Sequence, residues 1–196
     1  TPMSRNVHVV IRFRPLIGTA EQDTSMVNLA HDGKGVEVVG VDGMARRYHF
    51  PVVLGPEAIQ ADVYDCAVAP MVENILQGYN AAFLCYGSTG SGKTYTQFGP
   101  ELCLPGFDVR FVNRALMGMM PRLIRAVFDI VETPNPEVEW SVTASFIELY
   151  KENARDLLVE ERENLRIRED PMRGMFYVNA TEVEVGSFSD AVAVLQ

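Results

Sequence analysis

Seven of the eight residues in the stretch GSTGSGKT are glycine, serine or threonine, and the eighth is a lysine. Gly87, Ser88, Thr89, Gly90, Ser91, Gly92, Lys93 and Thr94 match the pattern G-x-x-x-x-G-K-[ST] in full. That spacing has a chemical use. Glycines let the backbone turn tightly, so that successive N–H groups face one small hollow. A helix leaving such a loop adds the partial positive charge of its first turn. Lys93 is placed to reach the terminal phosphates of a nucleotide, and the Thr94 hydroxyl to ligate magnesium. The bland alternative is a flexible Gly/Ser surface loop. Hydrolysis of a bound nucleotide needs more: an acidic residue at a strand end that holds magnesium through water, and a group that positions the attacking water. No apolar strand ending in aspartate is evident. Asp129 falls in a helical pattern, and Asp156 and Asp170 follow no suitable strand. The chain offers binding parts without a hydrolytic set.

The flanking elements favour the phosphate reading. Residues 81–86, AAFLCY, are continuously apolar and predict a strand buried on both faces, as in a parallel sheet. A helix is expected from about Gly92. Upstream, Val7, Val9, Ile11 and Phe13 alternate as a strand that Pro15 ends. Residues 35–41 and 44–50 flank Asp42-Gly43 as a hairpin. Residues 56–77 read as helix, with Pro70 expected to kink or split it and Gly78 to stop it. Residues 99–113 read as a long loop or interrupted helix, 119–132 as a helix, and 133–136 as a turn. Residues 137–150 read as one long strand and 153–163 as a short helix. Strands follow at 165–168 and 176–185, and Ser187 to Asp190 resembles a helix cap. No internal repeat or low-complexity tract is visible.

Composition bounds the function classes. The 196 residues are 47% hydrophobic and 22% charged, which suits one globular domain or the larger part of one. The net charge of −9 makes a general binder of nucleic acid or anionic membrane a poor fit. Cys66, Cys85 and Cys103 have the spacing of neither a zinc site nor a disulfide framework. No secretory leader and no run long enough to span a bilayer is seen, so a reducing, intracellular setting is expected.

Four segments together resemble one family. GYNAAFLCYGSTGSGKTYTQFG is similar to the phosphate-loop signature of the kinesin superfamily, and VVIRFRPL near the start also resembles that family. YHFPVVLGPEAIQADVY resembles the lead into its first helix, and FIELYKENARDLL the strand-plus-helix segment that follows its second helix. An unrelated phosphate-loop ATPase or kinase would leave the Arg-Phe-Arg-Pro and Phe-Ile-Glu-Leu-Tyr segments unexplained. The resemblance implies an α/β fold of the P-loop NTPase type, a central mostly parallel or mixed sheet with helices on both faces. It also implies a single domain, 1–196, forming the N-terminal part of a motor domain. Arg12, Arg14 and Pro15 match an element that contacts the adenine side of the nucleotide. Tyr95 sits where the family places a ring beside adenine, and an aromatic there could stack on a base; ordinary helix packing is the alternative. Tyr79 and Asn80 are read as structural.

The implied cofactors are ATP and Mg2+, and the implied partner is the microtubule. The expected function is ATP hydrolysis coupled to movement along microtubules, in the cytoplasm and on the cytoskeleton, without nucleic acid or membrane insertion. Dimerisation would use regions outside these residues. The alternative is a kinesin-like pseudo-motor, or a truncated product that binds nucleotide or a partner without turnover. Arg166, Arg168 and Arg173 match a loop that touches tubulin, although Glu160, Glu161, Glu163 and Glu169 nearby weaken any basic patch. Ser88 stands where glutamine is usual and Gln97 where methionine is usual, and 99–113 is longer than in many relatives. In the family the switch regions and their magnesium aspartate lie beyond the point matching Gln196. Residues 1–196 alone are therefore expected to be an unstable, inactive unit: 81–86 would lack lateral strands, and buried unpaired backbone groups cost about 1–3 kcal/mol each.

Overall fold

The computed structural model describes residues 7–16, 26–100, 113–133, 136–170 and 175–195. The described residues belong to two compact units, one of those up to 100 together with 113–123, the other of those from 124 onward.

In the first unit the alternating segment forms β1 (Val10–Arg12), shorter than its pattern. It pairs in parallel with β5 (Val52–Leu54), Val10 opposite Val52 and Arg12 opposite Leu54. The chain between them makes an antiparallel three-stranded sheet of β2 (Val27–Leu29), β3 (Gly35–Val39) and β4 (Ala45–His49). The expected hairpin is present. Gly43 turns it at φ 72, and Asp42 Oδ1 accepts from the Met44 N–H at 3.1 Å.

Helix α1 (Gln60–Ala67) begins where the Asp62 carboxylate accepts the Ile59 N–H at 2.8 Å. It starts later than the predicted Pro56. Pro70 then splits the helix as expected: α2 (Ala69–Leu76) carries it in its first turn, where a missing N–H costs nothing. Gly78, at φ 87, ends that helix. Val63, Val68 and Met119 form the buried centre, with Leu54, Tyr64, Ala67, Phe83 and Leu123 packed around them. Full burial of such side chains is worth about 1.5–3 kcal/mol each.

Residues 81–86 depart from expectation. They belong to no strand, and Leu84 and Tyr86 are 86% and 97% exposed. Among the described residues no strand pairs with them, and Phe83 packs against the buried centre. Helix α3 (Lys93–Phe98) follows the glycine loop as expected. Its end is fixed by a close backbone approach. The Gly118 N–H donates to Phe98 O at 3.2 Å, and a Cβ on Gly118 would lie 2.5 Å from Phe98 backbone atoms. Helix α4 (Met119–Val131) confirms the periodicity seen there.

The second unit is built of antiparallel pairs. β6 (Thr143–Ala144) pairs with β11 (Val183–Glu184), β7 (Ile147–Tyr150) with β8 (Asn153–Asp156), and β9 (Ile167–Asp170) with β10 (Met175–Val178). The single strand expected over 137–150 is broken, because its partner changes from β11 to β8. The short helix expected over 153–163 is instead β8 followed by turns. Lys151 and Glu152, at φ 47 and 65, make a two-residue hairpin turn that sends the chain back along β7. The strand expected over 176–185 divides into β10 and β11. Helix α5 (Phe188–Ala193) is capped as predicted, Ser187 Oγ accepting from the Asp190 N–H at 3.2 Å. Of the long loop at 99–113, residues 101–112 lie outside the described residues, as do 134–135 of the turn and Arg173.

Candidate nucleotide site

The loop between 87 and 92 is held by its own backbone. Gly90 and Gly92 sit at φ 80 and 96, the left-handed region that favours glycine. The Ser91 N–H donates to Ser88 O at 3.1 Å, and the Thr96 N–H to Gly92 O at 2.8 Å opens α3. Gly87 is closely flanked: a Cβ there would lie 2.5 Å from Ser91 Oγ and 3.2 Å from Ser91 Cβ. Lys93 closes the loop, its Nζ donating to Gly87 O and Ser88 O, both at 2.9 Å. Thr89, Gly90, Gly92, Lys93, Thr94 and Tyr95 line a hollow of about 300 Å³.

The end of β1 reaches the same loop. Arg14 Nη1 donates to Gly90 O at 2.7 Å, and Pro15 follows, exposed. Arg12 is half-buried, and its guanidinium is directed to protein groups. Nη1 donates to Gln60 Oε1 at 2.8 Å and Thr96 Oγ1 at 2.9 Å, and Nη2 to Ala58 O at 3.3 Å. Its Cζ lies 5.4 Å from the Tyr95 ring centre, within cation–π range. Burial pushes the Arg12 pKa down, opposed by Tyr95, Asp62 and Cys85 nearby. Sequence reasoning placed Arg12, Arg14, Pro15 and Tyr95 around the loop, and the fold brings Arg12 to Tyr95 and Arg14 to Gly90.

Gln60 was missed. It is 1% exposed; its Oε1 accepts from Arg12 and its Nε2 donates to Tyr95 O at 2.7 Å. A signal was available: 60, 63 and 67 share one helical face, so a glutamine there points inward with Val63 and Ala67.

The groups in the hollow suit a triphosphate. They are main-chain amides, one ammonium and the hydroxyls of Thr89, Thr94 and Tyr95, with no carboxylate in the lining. Among the described residues no cluster of three or more His, Cys, Asp or Glu could by itself hold a metal. That donor set fits Mg2+, which keeps several waters and is commonly held by one or two protein oxygens together with substrate phosphates. Of these hydroxyls, Thr94 stands at the motif position suited to it.

Asp156 does not line this hollow, and its setting differs from expectation. It ends β8, buried, accepting from the Thr181 N–H at 2.6 Å and the Leu158 N–H at 2.9 Å, with Arg162 at 3.9 Å. Burial acts against the charge, yet these N–H groups and Arg162 hold its carboxyl below the usual aspartate range. In the second unit Arg166 and Arg168 line a separate polar hollow of about 480 Å³ with Arg162, Glu163 and Asn179. Arg162 there is tied to Asn179 O and Thr181 Oγ1.

With this geometry in place, likeness to known proteins is informative. The family model described as the kinesin motor domain matches residues 12–196. The chain is 34% identical over 192 residues to kinesin-related protein 3 of Dictyostelium discoideum, covering 97% of this chain and 15% of that protein. It is 32% identical over 193 residues to a kinesin heavy chain of Syncephalastrum racemosum, covering 97% and 20%. A solved fast kinesin, described for its ATPase mechanism and interactions with microtubules, is 29% identical. It matches with a TM-score of 0.82 over 96% of this chain and 51% of its own. The chain thus spans about half of that solved chain and a fifth or less of these curated relatives.

Proposed function

The chain belongs to the kinesin motor-domain family, of α/β P-loop type, and on that premise we propose that it is the ATP-binding part of a motor that couples ATP hydrolysis to movement along microtubules. The observation that carries the proposal is the loop itself. Lys93 Nζ rests between Gly87 O and Ser88 O at the rim of a hollow lined by Thr89, Gly90, Gly92 and Thr94. In this reading the amides of 87–94 hold the phosphates and Lys93 offsets their charge. Thr94 would ligate Mg2+, which screens the triphosphate and organises it for attack by water. Tyr95 flanks the base, while Arg14 and Pro15 border it.

Microtubule stimulation of the ATPase belongs to the same proposal, as does residence on the cytoskeleton. Arg168 and Arg173, with Arg166, are the proposed tubulin contacts of this segment. Residues 1–196 by themselves are proposed to lack turnover, which the exposure of Leu84 and Tyr86 supports: two large side chains of the segment leading into the loop stand in water. A purified 1–196 polypeptide that melts cooperatively and turns over ATP would refute that part. The central test is the microtubule-stimulated ATPase of the full-length protein against Lys93→Ala. The proposal expects the activity to collapse in the variant, and unchanged activity would overturn it.

A further inference from the structure

We propose that Gln60 is a positioning residue for nucleotide-base recognition, acting through Arg12 and Tyr95. The inference rests on the nucleotide reading above. Gln60 is the first residue of α1, and it is buried to 1% exposure although it is polar. An unsatisfied buried amide is costly, and here both ends of the amide are used. Its carbonyl oxygen accepts from Arg12 Nη1 at 2.8 Å, and its NH2 donates to the Tyr95 carbonyl at 2.7 Å.

The consequence is geometric. Tyr95 lines the hollow beside the loop and its residue is 41% exposed, so ring surface is open to solvent. Its backbone is fixed on one side by Gln60. Its ring lies 5.4 Å from the guanidinium that Gln60 also holds. Thr96 Oγ1 accepts a second bond from that same Arg12 nitrogen at 2.9 Å, and Ala58 O takes the other nitrogen at 3.3 Å. One amide therefore joins β1, the start of α1 and the first turn of α3. None of its bonds goes to the loop between 87 and 92, which is held by Lys93, by Arg14 and by its own backbone. Gln60 sets where the ring stands and leaves the phosphate hollow to others. Positioning an aromatic group before the ligand arrives lowers the ordering cost of binding.

The separation of the two tasks gives the test. Affinities for Mg-ATP and for Mg-tripolyphosphate, which has the phosphates without ribose or base, are measured on the full-length protein containing residues 1–196. The same is done for Gln60→Met and Gln60→Glu. Glutamate keeps an acceptor for Arg12 but loses the donor to Tyr95 O; methionine loses both. The native protein is expected to prefer Mg-ATP. Gln60→Met is expected to cut that preference about tenfold, the equivalent of one or two net hydrogen bonds. Gln60→Glu is expected to fall between, and tripolyphosphate affinity to stay within about threefold throughout, the scatter of non-additivity. An unchanged preference in both variants overturns the inference. So does parallel loss of both ligands in both variants, which would make Gln60 a strut of the fold. If the native protein binds neither ligand, the phosphate-loop reading itself fails, and that outcome is distinct from the other two.

Discussion

Gly87→Ala isolates how tightly the phosphate loop is built. A methyl group at 87 would meet Ser91 Oγ at 2.5 Å and Ser91 Cβ at 3.2 Å. The hydroxyl can rotate away, at a cost of about 0.5–1.5 kcal/mol if it leaves a staggered position. The Cβ cannot move without the backbone of Ser91, whose N–H is bonded to Ser88 O. Overpacking of this kind costs about 1–3 kcal/mol in all. The loop relieves it by shifting the amides proposed to hold the phosphates. Gly87→Ala is therefore expected to weaken Mg-ATP binding by about fivefold to a hundredfold. The check is a double-mutant cycle by titration calorimetry on the full-length protein. Ser91→Gly removes both clashing atoms and is expected to change affinity by less than about threefold alone, and to restore binding when combined with Gly87→Ala. Normal binding by Gly87→Ala, or no rescue in the double variant, would refute the packing argument.

Other variants probe the surroundings. Gly118→Ala places a methyl group 2.5 Å from Phe98 backbone atoms and 2.6 Å from Gln97 C, which no side-chain rotation can relieve. It is expected to destabilise the protein by about 3 kcal/mol or more, read as a lowered unfolding midpoint. Arg14→Ala removes the bond to Gly90 O and should weaken Mg-ATP binding by about 1 kcal/mol, or roughly fivefold. Asp156 has its carboxyl pKa lowered, so its contribution to stability is complete above the ordinary aspartate range and is lost as pH falls through the depressed folded value. Asp156→Asn should therefore lower stability at neutral pH and flatten the acid-side slope of denaturant midpoint against pH. An unaltered slope would contradict the assignment.

The glycine loop's conformation was legible because its causes are local. Gly90 and Gly92 take positive φ, Lys93 turns back on the loop, and α3 starts where the motif ends, all within one short segment. Pro70 and Asp42-Gly43 were legible for the same reason: each acts on its own backbone. What failed depended on distant partners. Residues 81–86 are apolar enough for a buried strand, yet a strand needs neighbours that hydrogen-bond to it, and none pairs with it among the described residues. Residues 153–156 carry no β-branched side chain and read as helix, but pairing with β7 across the Lys151-Glu152 turn overrides that propensity. Gln60 escaped notice because its place on the apolar face with 63 and 67 does not name its partners. Only the fold shows that β1 delivers Arg12 to one end of its amide and α3 delivers Tyr95 O to the other.

The central claim is that main-chain amides between 87 and 94 enclose the phosphates of a nucleotide. The most direct measurement follows the backbone amide resonances of Gly87, Ser88, Thr89, Gly90, Ser91, Gly92, Lys93 and Thr94 in the full-length protein during titration with Mg-ATP. The account predicts that these resonances shift together and saturate with the calorimetric affinity, and that Mg-tripolyphosphate moves the same set. Saturable Mg-ATP binding that leaves all eight unmoved would contradict it.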